Sequence, residues 1–259
     1  MRKNKPPHFK ATAWEQSSQW YNKLVGKEGH YYHQTVVVPG TLRLLGLKSG
    51  DSVLDIGAGQ GVLARQLPAD IFYHGVDSSS SLVKSARAQD KNTRHEYTVA
   101  DATKFLPLTK KDFTHATALF SLQNMEHPEQ AIAQVSQHLK PEGKFVSVIN
   151  HPCFRIPRQS GWGISQNKQQ HRWITRYMTP MEIPIEMHPG QKRSERTISF
   201  HHPLTDYSRF LFESGFVIEK IEEWVSDKKN QPGPHAKRED MARSEIPLFM
   251  CVVSRKYKN

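Results

Sequence analysis

Cysteine is scarce in this chain: two residues among 259, Cys153 and Cys251, far apart and in no metal-type spacing. That spacing offers no metal site, and it fits a reducing, intracellular setting. Long apolar runs are missing too. None approaches the ~20 residues needed to cross a bilayer. The basic N-terminus MRKNKPPHFK lacks the apolar stretch of a secretory leader, so a cytoplasmic location is expected. Internal repeats and low-complexity tracts are absent as well. What remains is an ordinary globular composition, 37% hydrophobic and 24% charged, with 12 Phe, 8 Tyr and 5 Trp for a core. A length of 259 residues suits one α/β domain with an insertion.

The net charge of +11 is unevenly placed. Residues 50–154 carry 10 Lys/Arg against 11 Asp/Glu, whereas residues 155–209 carry 9 against 4 and residues 1–10 carry four cations and no acid. The excess therefore lies outside the central block, as solvated surface or as a face for an anionic partner.

Residues 53–61, VLDIGAGQG, hold the most informative pattern: a short apolar strand, an acid, then Gly57, Gly59 and Gly61. Glycines there permit torsions and close approaches that a Cβ would block. A helix over GVLARQL, 61–67, is expected to follow and to present free backbone N–H groups. From Ser52 strands and helices alternate: SVLDI, IFYHGVD, HEYTVAD, THATALFSLQNM and GKFVSVIN read as strands. SSSLVKSARAQ, opened by serine caps, and PEQAIAQVSQHL, opened by Pro128, read as helices. That alternation predicts right-handed βαβ units and a parallel sheet. Residues 11–49 read as helical and rich in aromatics. Residues 151–200, with five prolines, read as an ordered insertion with a β-hairpin around IEMHPGQK. PLTDYSRFLFESG then forms a helix, FVIEKIEEWV and IPLFMCVVSRK two last strands, and DKKNQPGPHAKREDMARSE between them a polar loop.

Position 62 is Val, so the dinucleotide fingerprint G-x-G-x-x-G is not completed. Asp55 with Gly57, Gly59 and Gly61 gives D-x-G-x-G-x-G instead. With it the chain resembles the class I S-adenosylmethionine-dependent methyltransferases, in particular the methyltransferase type 11 group that includes ubiquinone/menaquinone-biosynthesis enzymes. The resemblance covers residues 50–150 best. It implies a doubly wound, mostly parallel seven-stranded sheet of Rossmann-like type. Residues 1–49 become a helical N-terminal cap, residues 50–259 the methyltransferase domain, and residues 151–200 a substrate-cap insertion after the fifth strand. It further implies S-adenosyl-L-methionine as cofactor and no metal. The implied cofactor contacts are Asp55, Gly57, Ala58, Gly59 and Gly61 in the turn, and Asp77 on the ribose hydroxyls, 22 residues after Asp55. Ser78 and Leu82 flank the adenine, Asp101 and Ala102 meet its edge, and Phe120, Ser121 and Gln123 line the methionine part.

An acceptor hydroxyl, phenol, amine or activated carbon needs a base near neutral pH, for which histidine is the usual side chain. Of 14 histidines, His151 beyond the fifth strand is the first candidate and His33 in the aromatic N-terminal segment the second. His127, His201 and His202 also fall beyond strand ends, and Trp20, Tyr21 and Tyr31 are placed to close the pocket. NHPCF, 150–154, invites comparison with the N-P-P-[YF] motif of amino-methylating nucleic-acid enzymes, but it follows the fifth strand and carries His between Asn and Pro. The expected activity is methylation of a small organic molecule. The alternatives are a tRNA or rRNA methyltransferase using the basic insertion, and a non-catalytic cofactor-binding partner protein.

Overall fold

The computed structural model describes residues 14–26, 29–186 and 196–257. In chain order the elements are α1 (Trp14–Val25), a π-helical turn (His33–Val37) running into α2 (Val38–Leu45), β1 (Ser52–Ile56), β2 (Phe72–Asp77), α3 (Ser80–Gln89) and β3 (His95–Val99). Then follow β4 (Phe113–Leu119), α4 (Pro128–His138), β5 (Leu139–Asn150), β6 (Ser160–Ile164), β7 (Gln170–Ile174), β8 (Met181–Glu186) and β9 (Arg196–His201). The chain closes with α5 (Leu204–Glu213), β10 (Phe216–Trp224), α6 (Ala236–Glu245) and β11 (Phe249–Lys256).

Seven strands form one sheet in the order β10-β11-β5-β4-β1-β2-β3. β1 pairs in parallel with β2 and β4, β2 with β3, and β4 with β5, while β11 runs antiparallel to both β5 and β10. The mostly parallel, doubly wound sheet anticipated from the alternation is therefore present. Central strands of such sheets are covered on both faces and read as apolar runs. Val53, Leu54 and Ile56 of β1 and Val146 and Val148 of β5 are fully buried accordingly. The main core packs α4 and α5 against β1, β4 and β5 through Ile132, Val135, Phe210, Phe145 and Leu54. Strand order reverses between β1 and β4, and a crevice opens beyond their carboxyl ends, where ligands of open α/β sheets bind.

Three local readings differ from expectation. The segment 61–67 is no α-helix but a 3₁₀ turn over Ala64–Gln66. Between Gly61, held at a φ of 74°, and Pro68 there is no length for one. Within 227–245, α6 forms in place of a loop. It lacks an apolar face and is held by charge: Asp240 accepts from the Asn230 N–H, Glu239 from its side-chain amide, and Arg243 donates back to Asn230. The insertion contains two antiparallel hairpins, β6–β7 and β8–β9. Residues 187–195, which include Met187 to Lys192 of the anticipated IEMHPGQK hairpin, lie outside the described residues.

Candidate cofactor and acceptor site

One cavity of about 930 Å³ occupies the crevice. Its floor is the set of strand ends: Gly57 and Gly59 after β1, Asp77 and Ser78 at the end of β2, Ala100 to Lys104 after β3, and Phe120, Ser121 and Gln123 to His127 after β4. Its roof is Trp14 and Trp20 of α1, His33 of the π turn, Pro157, and Ile185, Glu186, Thr197 and Ser199 of the β8–β9 hairpin. Residues of the N-terminal segment and of the insertion thus meet over the strand ends.

Gly57 shows why the turn needs glycine. Its φ is 73°, and a Cβ built there would fall 2.2 Å from Cβ of Ser121. Ser121 in turn donates its hydroxyl to the Ile56 carbonyl at 2.7 Å, fixing the β1 and β4 ends together. Asp77 sits across the turn. The Gly59 N–H donates to its Oδ2 at 2.8 Å and the Ser79 N–H to its Oδ1 at 2.9 Å. Each oxygen keeps acceptor capacity for a further donor, such as a ligand hydroxyl. Burial pushes the Asp77 carboxyl up from its ordinary value, and the two N–H groups oppose that rise.

Asp101 is half-exposed at the cavity edge. Burial pushes its carboxyl up, but the hydroxyl and N–H of Thr103 and the Lys104 ammonium outweigh this and leave it below the usual range. Leu82, in the first turn of α3, is buried and lines the cavity, as does Ala102. Phe120 holds a φ of 56°, an outlier for a bulky side chain. That bend is tied by its N–H to the Val148 carbonyl and by Asn124, whose amide donates to the Phe120 carbonyl. Gln123 accepts the Asn150 N–H at 2.6 Å, so β4 and β5 shape the cavity mouth jointly.

Asp55, Ala58 and Gly61 stand apart from the large cavity. Asp55 is buried, with the Tyr73 hydroxyl donating to Oδ2 at 2.7 Å and the Thr117 hydroxyl to Oδ1 at 2.8 Å. Burial pushes its carboxyl up to about 6, against those two hydrogen bonds. With Ala58, Gln60 and His33 it lines a small side chamber of about 30 Å³. Gly61 packs beneath the Tyr97 ring, and its importance is steric.

The two histidines expected as bases part company. His151 does not line the cavity. Its Nδ1 accepts the Cys153 N–H, so Nε2 donates to Glu223 at 2.6 Å, and the ring lies buried beside Phe154 on the β11 side. Both nitrogens are committed to the fold, which places the catalytic expectation for His151 at odds with its position. His33 lines both the large cavity and the side chamber. Its Nδ1 is buried with no hydrogen-bond partner. Burial, with a smaller contribution from nearby His30, pushes its pKa down to about 4, so the ring is neutral at physiological pH.

The backbone around His33 explains its placement. Pro39 has no N–H to give and crowds the carbonyl four residues back, and the turn ahead of it widens to a π turn. Gly29, at a φ of 99°, lies under His33, where a Cβ would come 2.7 Å from Cβ of His33. His127 lines the cavity rim beside Glu129, whereas His201 bonds the Tyr177 carbonyl and His202 faces Asp206. The side chain of Tyr21 lies outside those described, and Tyr31 meets Tyr32 edge to face without lining the cavity.

One feature escaped the sequence reading. The Glu15 carboxylate of α1 accepts the hydroxyls of Ser79, Ser80 and Ser81 and the Ser81 N–H, at 2.5–3.2 Å. These bonds, the Ser79 hydroxyl first, hold its pKa down at about 2. Asn22 reaches Ser85 and Gln60 reaches the Gly26 carbonyl, adding two more ties between the roof and the floor. A run of four serines ahead of a helix was the available signal, but nothing local pairs it with position 15.

Comparison with known proteins agrees with this geometry. A family model described as "Methyltransferase domain" matches residues 54–147. Among curated proteins, the ubiquinone/menaquinone biosynthesis C-methyltransferase of Laribacter hongkongensis is 33% identical over 112 residues, 41% of this chain and 46% of that protein. Its counterpart from Stutzerimonas stutzeri is 28% identical over 173 residues, 59% of this chain and 64% of the relative. The chain thus spans about half to under two thirds of the length of these relatives. Among solved structures, an S-adenosylmethionine-dependent methyltransferase from Mesorhizobium loti superposes with a TM-score of 0.67 at 25% identity, over 89% of this chain and 100% of that one. The Haloferax volcanii methyltransferase solved with its Trm112 activator gives 0.68 at 17% identity, over 96% and 99%, a likeness of fold alone.

Proposed function

We propose, for a chain that belongs to the class I S-adenosylmethionine-dependent methyltransferases, that it transfers the cofactor's methyl group to a small organic acceptor. The observation that carries this reading is the continuous cavity of about 930 Å³, floored by strand ends and roofed by α1, the π turn and β8–β9. Its size lies near the top of the roughly 300–1,000 Å³ range of small-molecule sites. That leaves room for a compact acceptor beside the cofactor.

The residues present fit the cofactor. The Gly57–Gly59 turn lines the cavity with backbone that a Cβ on Gly57 would drive against Ser121, and Asp77 offers oxygens held in place by two N–H groups for the ribose hydroxyls. Leu82 and Ala102 would take the two faces of the adenine, Asp101 its amine, and Ser121 and Gln123 the methionine part. When bound, the cofactor supplies an electrophilic methyl on a sulfonium, the hard part of the chemistry. The protein's own residues then align the acceptor and exclude water. Trp14 and Trp20 cover the cavity from α1, and Ser199 and Asn150 offer hydrogen bonds to orient a polar acceptor. His33, neutral and with a free buried Nδ1, serves as the proton acceptor. Residues 1–49 and 151–200 act together as the acceptor cap, and the enzyme works in the cytoplasm.

The test is turnover of methyl-labelled S-adenosylmethionine in a small-metabolite extract freed of macromolecules. Label entering a small molecule, with S-adenosylhomocysteine released, is the expected result. Tight S-adenosylhomocysteine binding without any labelled small product would overturn the proposal.

A further inference from the structure

The β6–β7 hairpin belongs to the insertion, but none of its strand residues lines the cavity. Its two faces differ. On one, Trp162 is covered by the guanidinium groups of Arg155 and Arg172, at 5.4 and 5.1 Å from the ring centre. Both arginines are spent on the fold: Arg155 donates to the Ile246 and Pro247 carbonyls, and Arg172 to the Phe154 carbonyl and Ser160.

The other face is built from Gly161 paired with Trp173 and Gly163 paired with His171. Each ring lies across its partner glycine: a Cβ at Gly161 would meet the indole at 2.5 Å, and one at Gly163 the imidazole at 2.7 Å. Glycine opposite an aromatic lets the ring lie flat on the strand backbone and turns its outer face to solvent. Trp173 remains 44% exposed, and His171 is exposed as well. Two adjacent flat rings at strand spacing form a stacking platform.

Charge says what stacks there. Residues 155–180 contain five Lys/Arg and no Asp or Glu. Arg158 and Arg176 bracket the hairpin at its base and Lys168 stands in its tip. All three are exposed, and among the described residues none makes an ion pair. Of the acids on α6, which packs against β7, Glu239 and Asp240 both face Arg243, and Glu245 ends the helix. The tip is amide-rich, with Gln166, Asn167 and Gln169, rather than apolar, so it is not shaped to enter a lipid layer. Aromatic faces interleaved with unpaired cations are the means by which single strands are held, bases on rings and phosphates on cations.

We propose that the Trp173–His171 face of this hairpin, ringed by Arg158, Lys168 and Arg176, is a binding surface for single-stranded RNA. It stands outside the cavity, since neither ring lines it, so RNA binding and methyl transfer are separable measurements.

The test is fluorescence anisotropy of the full chain with a labelled 12-nucleotide single-stranded RNA at low salt, with S-adenosylhomocysteine calorimetry as the check on folding. The wild type is expected to bind, with affinity falling steeply as salt rises. Trp173→Ala with His171→Ala should weaken binding by roughly tenfold or more, whereas Trp173→Phe, which keeps a ring over Gly161, should retain most of it. Arg158→Ala, Lys168→Ala and Arg176→Ala combined should flatten the salt dependence. All variants should keep wild-type affinity for S-adenosylhomocysteine. The proposal is overturned by absence of RNA binding at low salt, by binding indifferent to the ring and cation variants, or by Trp173-dependent capture on phosphatidylglycerol vesicles in place of RNA.

Discussion

The two walls of the cavity reach it by different routes. The floor draws its residues from Gly57 to His127, each at the carboxyl end of a strand in one parallel ladder. The roof draws on Trp14, Trp20 and His33 from the start of the chain and on Ile185, Glu186, Thr197 and Ser199 from the insertion. Backbone hydrogen bonds of the sheet fix the floor. Side-chain ties fix much of the roof, chiefly Glu15 to the serines and Asn22 to Ser85. A ladder tolerates little change, while a set of side-chain ties can be altered one at a time. This contrast leads us to assign recognition of the common cofactor to the floor and choice of acceptor to the roof.

The sharpest way to break the floor is Gly57→Ala. The new Cβ would lie 2.2 Å from Ser121 in a backbone region where only glycine is at ease. Calorimetry should then detect no S-adenosylhomocysteine binding, and the melting temperature should drop. Binding at wild-type strength would mean the turn is not the cradle.

On the roof, His33→Ala should lower kcat by roughly 10²–10⁴, the range typical of a lost general base, while cofactor affinity changes little. Because burial holds the His33 pKa at about 4, the proton-accepting form is already complete at neutral pH. The pH profile of kcat/KM should therefore rise through about 4 and lie flat above it as far as this group is concerned. A limb near 6.5 would point to a different, solvated histidine.

Asp77→Ala removes an acceptor of ligand hydroxyls and also orphans two loop N–H groups, one from Gly59 and one from Ser79. Hydrogen bonds to charged groups contribute about 1.5–3 kcal/mol each, so cofactor affinity should fall at least tenfold. An unaltered dissociation constant would remove Asp77 from the ribose.

Glu15→Ala should have the smallest effect, a several-fold rise in cofactor dissociation rate seen by stopped flow, with the fold intact. The Glu15 pKa is lowered from 4.5 to about 2. The hold it contributes is thus fully present above about 4.5 and is lost as pH falls toward 2. An off-rate that did not respond to Glu15→Ala would show that α1 rests on the floor without help from this carboxylate.

The same contrast governs what could be read from sequence. Gly57, Asp77, Asp101 and Ser121 were legible because each follows a strand whose apolar run marks its own end, and the sheet then brings those ends together. Helix 61–67 was misread because local propensity ignored how Pro68 limits the segment, and α6 was missed because its support is charge pairing without an apolar stripe. His151 looked well placed, being the residue after a strand end. A strand end has two sides, however, and the partner that claims this ring, Glu223, lies 72 residues away in sequence on β10. His33 was legible only as one histidine among many. Its position depends on Gly29, Pro39 and the π turn acting together, and no periodicity announces that combination.

Ser79 has a further consequence. Its N–H holds Asp77 on the cavity floor, while its hydroxyl holds Glu15 of the covering helix. One residue therefore stands between ligand occupancy on one side and helix seating on the other. Thermodynamic reciprocity requires that whatever affinity a seated α1 lends to the ligand, the ligand returns as extra seating of α1. A spectroscopic label on the solvent side of α1 would then report occupancy of the pocket that this helix covers.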